Sequence, residues 1–370
     1  MPLVFRFRNG EAMRKRLEID GAFGEGGGQV VRTSLTLSVL TGRPVAIRNI
    51  RANRPKPGLA PQHLTNVLAL ARICGANVEG AEIGSTELRF DPKSAPRAGK
   101  YRFDVTEVLS SGSAGSVTLI LQTLLLPLTF AKEKSTLLLR GGTHVTWSPP
   151  FEYIDRVFLP TVEKMGIKAS CRLNVPGFYP AGGGEITVEI VGLRSALKPI
   201  LLSERGELQR IEGNAIACNL PSHIPQRMAD RTRALLESAG FKADITPRRE
   251  QCIGPGAGIF LTAHYEKALA GFSALGAPGK PSETVAEEAC DQLFTHHGGG
   301  APVDRYLADQ LLLPMSLADG VSAFETACIS SHLLTNAHII GQFIDAKISI
   351  EGEEGEPGRV TVTGAPRSLH

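Results

Sequence analysis

The feature that most constrains this chain is a rhythm of elements that runs twice through its first half. Residues 16–20 are short, partly alternating and run into Gly21, which reads as a strand entering a glycine turn. Residues 29–40 place Val31, Leu35, Leu37 and Val39-Leu40 at helical spacing, and Thr41-Gly42 ends them. A strand over 44–50, a helix over 61–74 stopped at Gly75, and a strand–turn–strand over 77–90 complete a β-α-β-α-β-β unit. The same order returns as strand 101–105, buried helix 117–130, strand 135–140, helix 151–165 ended by Gly166, and strands 167–174 and 185–190. It is a repeat of topology rather than of sequence.

A third copy needs helices from about Tyr306 and about Ser331, which leaves residues 197–297 over. That stretch has its own strand (211–218), helix (224–238), strands (258–264 and 272–275) and closing helix (283–294). The expected architecture is α/β (α+β). A core of 1–196 plus 298–370 carries a smaller α/β domain, 197–297, inserted into the third repeat, with His296-His297-Gly298-Gly299-Gly300 as the return linker. With 370 residues, 42% of them hydrophobic and 21% charged, the chain has the composition of an ordinary globular protein with a substantial core. Its formal charge of +3 excludes an acidic tail protein and a histone-like polycation, yet leaves room for a local basic groove.

The six cysteines, at 74, 171, 218, 252, 290 and 328, include no C-x-x-C pair. With no secretion-signal pattern, they read as scattered thiols in a reducing, cytoplasmic compartment rather than a zinc ribbon. The longest apolar run, 117–130, is short and broken by Thr118, Gln122, Thr123 and Pro127, so no membrane partner is expected. The first sixteen residues carry five arginines or lysines and read as a leader arm, with Met13 as an alternative start.

Several polar segments stand at helix starts. Gly24-Glu25-Gly26-Gly27-Gly28-Gln29, followed by Arg32, lets the backbone approach an anion at a helix N-terminus, and fits a plain tight turn as well. Glu25 tips the balance, because a carboxylate in such a loop is disfavoured unless it holds a metal or another cation. Arg51-Ala52-Asn53-Arg54-Pro55-Lys56, followed by Gln62-His63, reads as a phosphate clamp or as a solvated basic loop. The loop 110–116 is rich in Ser and Gly and leads into a helix whose Gln122 needs a partner if buried. Tyr306, Asp309 and Gln310 fall on one helix face, where an aromatic, a carboxylate and an amide can read a purine. His332 sits at the start of an apolar helix, where the dipole disfavours the imidazolium. Residues 177–184 read only as a turn with aromatic anchors, and His144 and His223 are given no role.

Together the segments 25–32, 51–63, 177–184, 306–310 and 331–336 resemble, in order and spacing, those of the RNA 3′-terminal phosphate cyclases. The resemblance runs from about Leu17 to past Phe343. It implies three βαβαββ repeats similar to the C-terminal domain of a bacterial translation initiation factor, with a smaller inserted domain. It also implies an ATP-dependent enzyme that uses Mg2+ or Mn2+ and closes RNA 3′-phosphate ends into 2′,3′-cyclic phosphodiesters. His332 then matches the histidine that becomes adenylylated, and Glu25 the metal-contacting glutamate. Gln122, Tyr306, Leu307, Ala308, Asp309 and Gln310 match the nucleotide pocket. Arg32, Arg51, Gln62 and His63 match the phosphate-contacting and polar residues. The base for the cyclisation step stays open between His63 and Asp309. A non-catalytic RNA-binding relative has no use for His332, and an enolpyruvyl transferase has none for the His332–Asp309–Glu25 set.

Overall fold

The computed structural model describes residues 15–108 and 114–366. The basic segment 1–14 and residues 110–113 of the Ser/Gly loop lie outside them. The first repeat is β1 (Leu17–Asp20), α1 (Gly28–Thr41), β2 (Val45–Arg48), α2 (Pro61–Cys74), β3 (Asn77–Glu79) and β4 (Leu88–Asp91). Its sheet has the order β1-β2-β4-β3, with β1 parallel to β2 and the other pairs antiparallel. The second repeat is β5 (Lys100–Asp104), α3 (Val117–Thr129), β6 (Ser135–Gly141), the continuous helical stretch α4 (Phe151–Tyr153) to α5 (Leu159–Glu163), β7 (Ala169–Val175) and β8 (Gly184–Ile190). It has the same order, β5-β6-β8-β7. Between α4 and α5 the winding widens, and the Leu159 N–H reaches back to the Ile154 carbonyl. Pro160, just after it, has no N–H to donate.

The third repeat opens with β9 (Leu201–Leu202) and is then interrupted. The interruption comprises β10 (Leu208–Cys218), α6 (His223–Ser238), β11 (Ala243–Glu250), β12 (Gly256–Tyr265), β13 (Leu269–Leu275) and α7 (Ser282–Gly299), with a sheet of its own, β11-β10-β12-β13. The repeat resumes with α8 (Leu307–Ser316), β14 (Val321–Thr326), α9 (Ser331–Phe343), β15 (Lys347–Glu351) and β16 (Gly358–Thr363). β9 lies within 197–297 yet pairs parallel with β14, completing the third sheet in the order β9-β14-β16-β15.

One apolar cluster runs through all three repeats, and a second fills the interrupting segment. α1 and α3 are buried on nearly every side, whereas strands such as β6 and β8 alternate buried with less buried positions. The helices therefore occupy the interior and each sheet covers one outer side. α2 shows how the sequence sets a helix's ends: Pro61 fills a first-turn position, and Gly75 closes the helix at φ 64°. Cys218 and Cys252 are not scattered thiols but a disulfide, with Cα atoms 5.7 Å apart. The parallel pairing of β10 with β11 sets Cys218 opposite Glu250, so a cysteine two residues further on falls within reach. No helix among the described residues is long and apolar enough to cross a membrane.

Candidate active site

The helix starts that looked chemically loaded in sequence meet where the repeats join. His332 is the second residue of α9, whose Ser330 cap accepts the Leu333 N–H at 3.2 Å. The imidazole Nδ1 lies 2.7 Å from Glu25 Oε2, on the glycine loop before α1. Glu25 Oε1 accepts from Arg54 at 2.8 Å. Burial, Arg32 and Arg54 lower the His332 pKa, against the opposing pull of Glu25, and keep the ring neutral.

Behind this pair, α1 presents Gln29, Arg32, Thr33 and Thr36 to a cleft of about 80 Å³ that Gln122, Asp309, Gln310 and Asn336 also line. Gln29 Nε2 donates to Asp309 Oδ2 at 3.2 Å and to the His332 carbonyl at 3.1 Å. Thr33 Oγ1 donates to Asn336 Oδ1 at 2.7 Å, and Asn336 Nδ2 to the Asp309 carbonyl at 3.1 Å. Burial raises the Asp309 pKa to about 7, although Arg32 opposes it. Arg32, half-buried, is lowered to about 10 chiefly by desolvation and stays charged at neutral pH.

His63, at the start of α2, accepts the Ala60 N–H on Nδ1 at 3.1 Å. Its Nε2 faces Gly28, where an added Cβ would stand 1.9 Å away. Burial, then Arg32 and Arg51, depress its pKa to about 3. Its neighbour Gln62 accepts the Ser116 N–H at 2.8 Å, joining α2 to the loop before α3. Arg51, held at φ 54°, donates to the Gly58 carbonyl at 2.8 Å.

Residues 23–350 match the family described as RNA 3′-terminal phosphate cyclase. The chain belongs to that family. The RNA 3′-terminal phosphate cyclase of Gloeothece citriformis is 51% identical over 91% of this chain and 96% of its own. That of Methylococcus capsulatus is 50% identical over 95% and 98%, and that of Thermococcus onnurineus 43% over 94% and 98%. A solved structure, the enolpyruvyl transferase NikO from Streptomyces tendae, covers 96% of this chain and 49% of its own at 13% identity and a TM-score of 0.40. That likeness carries no argument about the reaction.

On this cyclase-family chain, Glu25, Arg32, Asp309 and His332 gather around one point, and Gln122 Nε2 donates to Gln310 Oε1 at 2.5 Å beside it. Tyr306 is 46% exposed at the N-cap of α8, with the Arg305 guanidinium 5.6 Å over its ring. Leu307 and Ala308 point into the apolar core instead, and both their N–H groups are spent on Asp304. They hold α8 in place and form no wall of the cleft. Four further residues belong to the same network, Gln29, Thr33, Arg54 and Asn336. Asn336 had a legible signal, four residues after His332 on one helix face. Arg54 had none beyond its place in a basic loop.

Proposed function

We propose that this chain converts an RNA 3′-phosphate into a 2′,3′-cyclic phosphodiester at the expense of ATP, with His332 as the nucleophile. The observation that carries the reading is the pairing of His332 with Glu25 at the start of α9, beside the half-buried Arg32. Glu25 keeps the imidazole proton on Nδ1 and leaves the Nε2 lone pair for attack. Nε2 attacks the α-phosphorus of ATP, the bond to the β-phosphate oxygen breaks, and pyrophosphate leaves. A 3′-phosphate oxygen of the RNA then attacks the same phosphorus, the N–P bond breaks, and the histidine is regenerated. Finally the 2′-oxygen attacks the 3′-phosphorus, gives up its proton and expels AMP. Arg32 and Arg51 reduce repulsion between the two anions in the second step.

Asp309 suits the last proton transfer better than His63. A carboxylate with a pKa of about 7 accepts and releases a proton near neutrality. His63 has its Nδ1 lone pair occupied by the Ala60 N–H, so its Nε2–H serves as a donor to phosphate. A divalent ion would find one protein ligand here. Glu25 Oε2 is buried with His332 Nδ1 at 2.7 Å, and no group of three metal-ligating side chains occurs among the described residues. That donor set fits an ion held largely by phosphate oxygens, where it would offset the triphosphate's charge.

The test is transfer of label from ATP marked at the α-phosphate. The wild type should carry acid-labile, alkali-stable label and the His332→Ala chain none. Label on both would mean that another residue is the nucleophile. A DNA 3′-phosphate, lacking the 2′-hydroxyl, should stop at the adenylylated end.

A further inference from the structure

Trp147, the only tryptophan in the chain, stands 97% exposed on a backbone held at φ 64°. A bulky residue in the left-handed region is strained, and an uncovered indole forgoes a large apolar burial. Tyr179 (70%) and Ile253 (74%) are exposed as well.

The three residues stand on loops that interlock. The Thr143 and His144 N–H groups both donate to the Gly177 carbonyl, at 2.9 and 3.0 Å, which ties the Trp147 loop to the Tyr179 loop. Gly183 passes so close to Ile253 that an added Cβ would meet it at 2.2 Å, and Gly256 meets Phe178 at the same distance. Turns of the second repeat and of the segment that interrupts the third thus share one surface.

Beside them lies a cavity of about 250 Å³ between α4–α5, β7, β10 and β11. Arg156, Arg172 and Arg248 reach it from three different elements, β7 and β11 being the edge strands of their sheets. Arg172 and Arg248 are exposed and have no ion-pair partner among the described residues. Two of the acids in the lining are occupied. Glu152 is held by His144 at 2.8 Å, and Asp155 accepts from the Cys171 thiol at 3.5 Å. Glu250 is the remaining one.

Two buried contacts tie this seam to elements of the active site. Thr118 Oγ1, in the first turn of the helix that carries Gln122, donates to the Pro149 carbonyl at 2.7 Å. Tyr153, next to Glu152 in the cavity wall, lies edge-on to Tyr306 with ring centroids 6.4 Å apart.

We propose that the RNA chain upstream of its 3′ end lies along this seam, with bases on Trp147 and Tyr179 and phosphodiesters on Arg172 and Arg248. The inserted segment then supplies one side of the RNA track. Exposed aromatics and unpaired guanidinium groups are the two components of single-strand binding, and both are sequence-tolerant. The proposal rests on the cyclase reading.

Because Trp147 is the sole tryptophan, its fluorescence reports the contact directly. A 3′-phosphorylated RNA of about ten nucleotides should quench it, whereas ATP should not. Trp147→Ala should weaken binding of that RNA by about tenfold, and Trp147→Phe should restore most of it. The Arg172→Ala/Arg248→Ala pair should flatten the salt dependence of binding. A 3′-phosphorylated dinucleotide, which lacks the upstream chain, should bind all these variants as it binds the wild type. Unchanged fluorescence with the longer RNA, quenching by ATP, or wild-type RNA affinity in Trp147→Ala would each overturn the proposal. So would emission that shifts with protein concentration alone, which would mean a second copy covers the patch. Failure of the cyclase reading looks different: the wild type would bind RNA yet take no label from ATP and close no end.

Discussion

Half-buried Asp309 and buried His63 both lie beside Arg32, and desolvation acts on them in opposite senses. It raises the acid, whose charged form is the anion, and lowers the base, whose charged form is the cation. For Asp309 the consequence is kinetic. With a pKa of about 7, the closure step should slow as pH falls through neutrality. Asp309→Asn should remove that inflection and slow closure by about 100-fold. Single-turnover closure of a pre-adenylylated RNA end measures this step alone, and an inflection that survives in Asp309→Asn would assign it elsewhere. For His63 the consequence is stability. Its folded pKa of about 3 lies below the ordinary value of 6.5, so the unfolded chain binds the extra proton. Stability is therefore complete above pH 6.5 and is lost progressively as pH falls toward 3. His296, lowered to about 4 chiefly by burial, adds in the same direction. Thermal melting between pH 7 and 5 should show Tm falling, with a shallower slope in His63→Gln. Equal slopes in the two chains would mean that His63 is already accessible to protons in the native state.

At the scale of elements, the glycine loop before α1 shows what a sequence can and cannot disclose. Its composition announces close approach, and the structure names what approaches: the His63 ring against Gly28. Gly28→Ala should displace that ring and reduce adenylylation at least tenfold, while Tm moves by only a few degrees, because the clash involves one side chain. Loss of folding instead, seen in the circular dichroism of Gly28→Ala, would show that the loop holds the core and not the site. The helices were the legible part. The helix at 61–74 is bounded by Pro61 and Gly75, and 117–130 is predominantly apolar, so both follow from local chemistry. The strands of the third repeat and β11 were not. β9 has two residues, too few for any period, and gains its place only by pairing with β14, more than a hundred residues on. β11 carries Pro247, Arg248 and Arg249, which suit an edge strand and give no alternation to read. In the site, His332, Glu25 and Asp309 were legible through motif and spacing. The bonds of Gln29 to Asp309 and to His332 were not, because they join residues about three hundred positions apart.

The whole molecule is joined at Asp304. Its carboxylate accepts from Tyr153 of the second repeat at 2.8 Å, from the Tyr306 and Leu307 N–H groups that open α8 at 2.8 and 3.0 Å, and from the Gly271 N–H of the inserted segment at 3.3 Å. Burial raises its pKa, and these donors oppose the rise. One buried side chain thus fixes the start of the helix carrying Asp309 and Gln310 to the two bodies that flank it. Truncating it leaves several buried donors without an acceptor, at a cost of about 3–5 kcal/mol. For a chain of this size that corresponds to a fall in Tm of roughly 5 °C. Asp304→Ala should therefore melt about that much earlier, and its KM for ATP in self-adenylylation should rise, because Tyr306 and Gln310 lose their anchor. Asp304→Asn should fall between, since the amide oxygen can still accept from α8 while its NH2 group faces the Gly271 donor. A lowered Tm with an unchanged KM would show that Asp304 binds the bodies together without setting the nucleotide pocket. Joint loss in Asp304→Ala, with partial recovery of both in Asp304→Asn, would show that one contact does both.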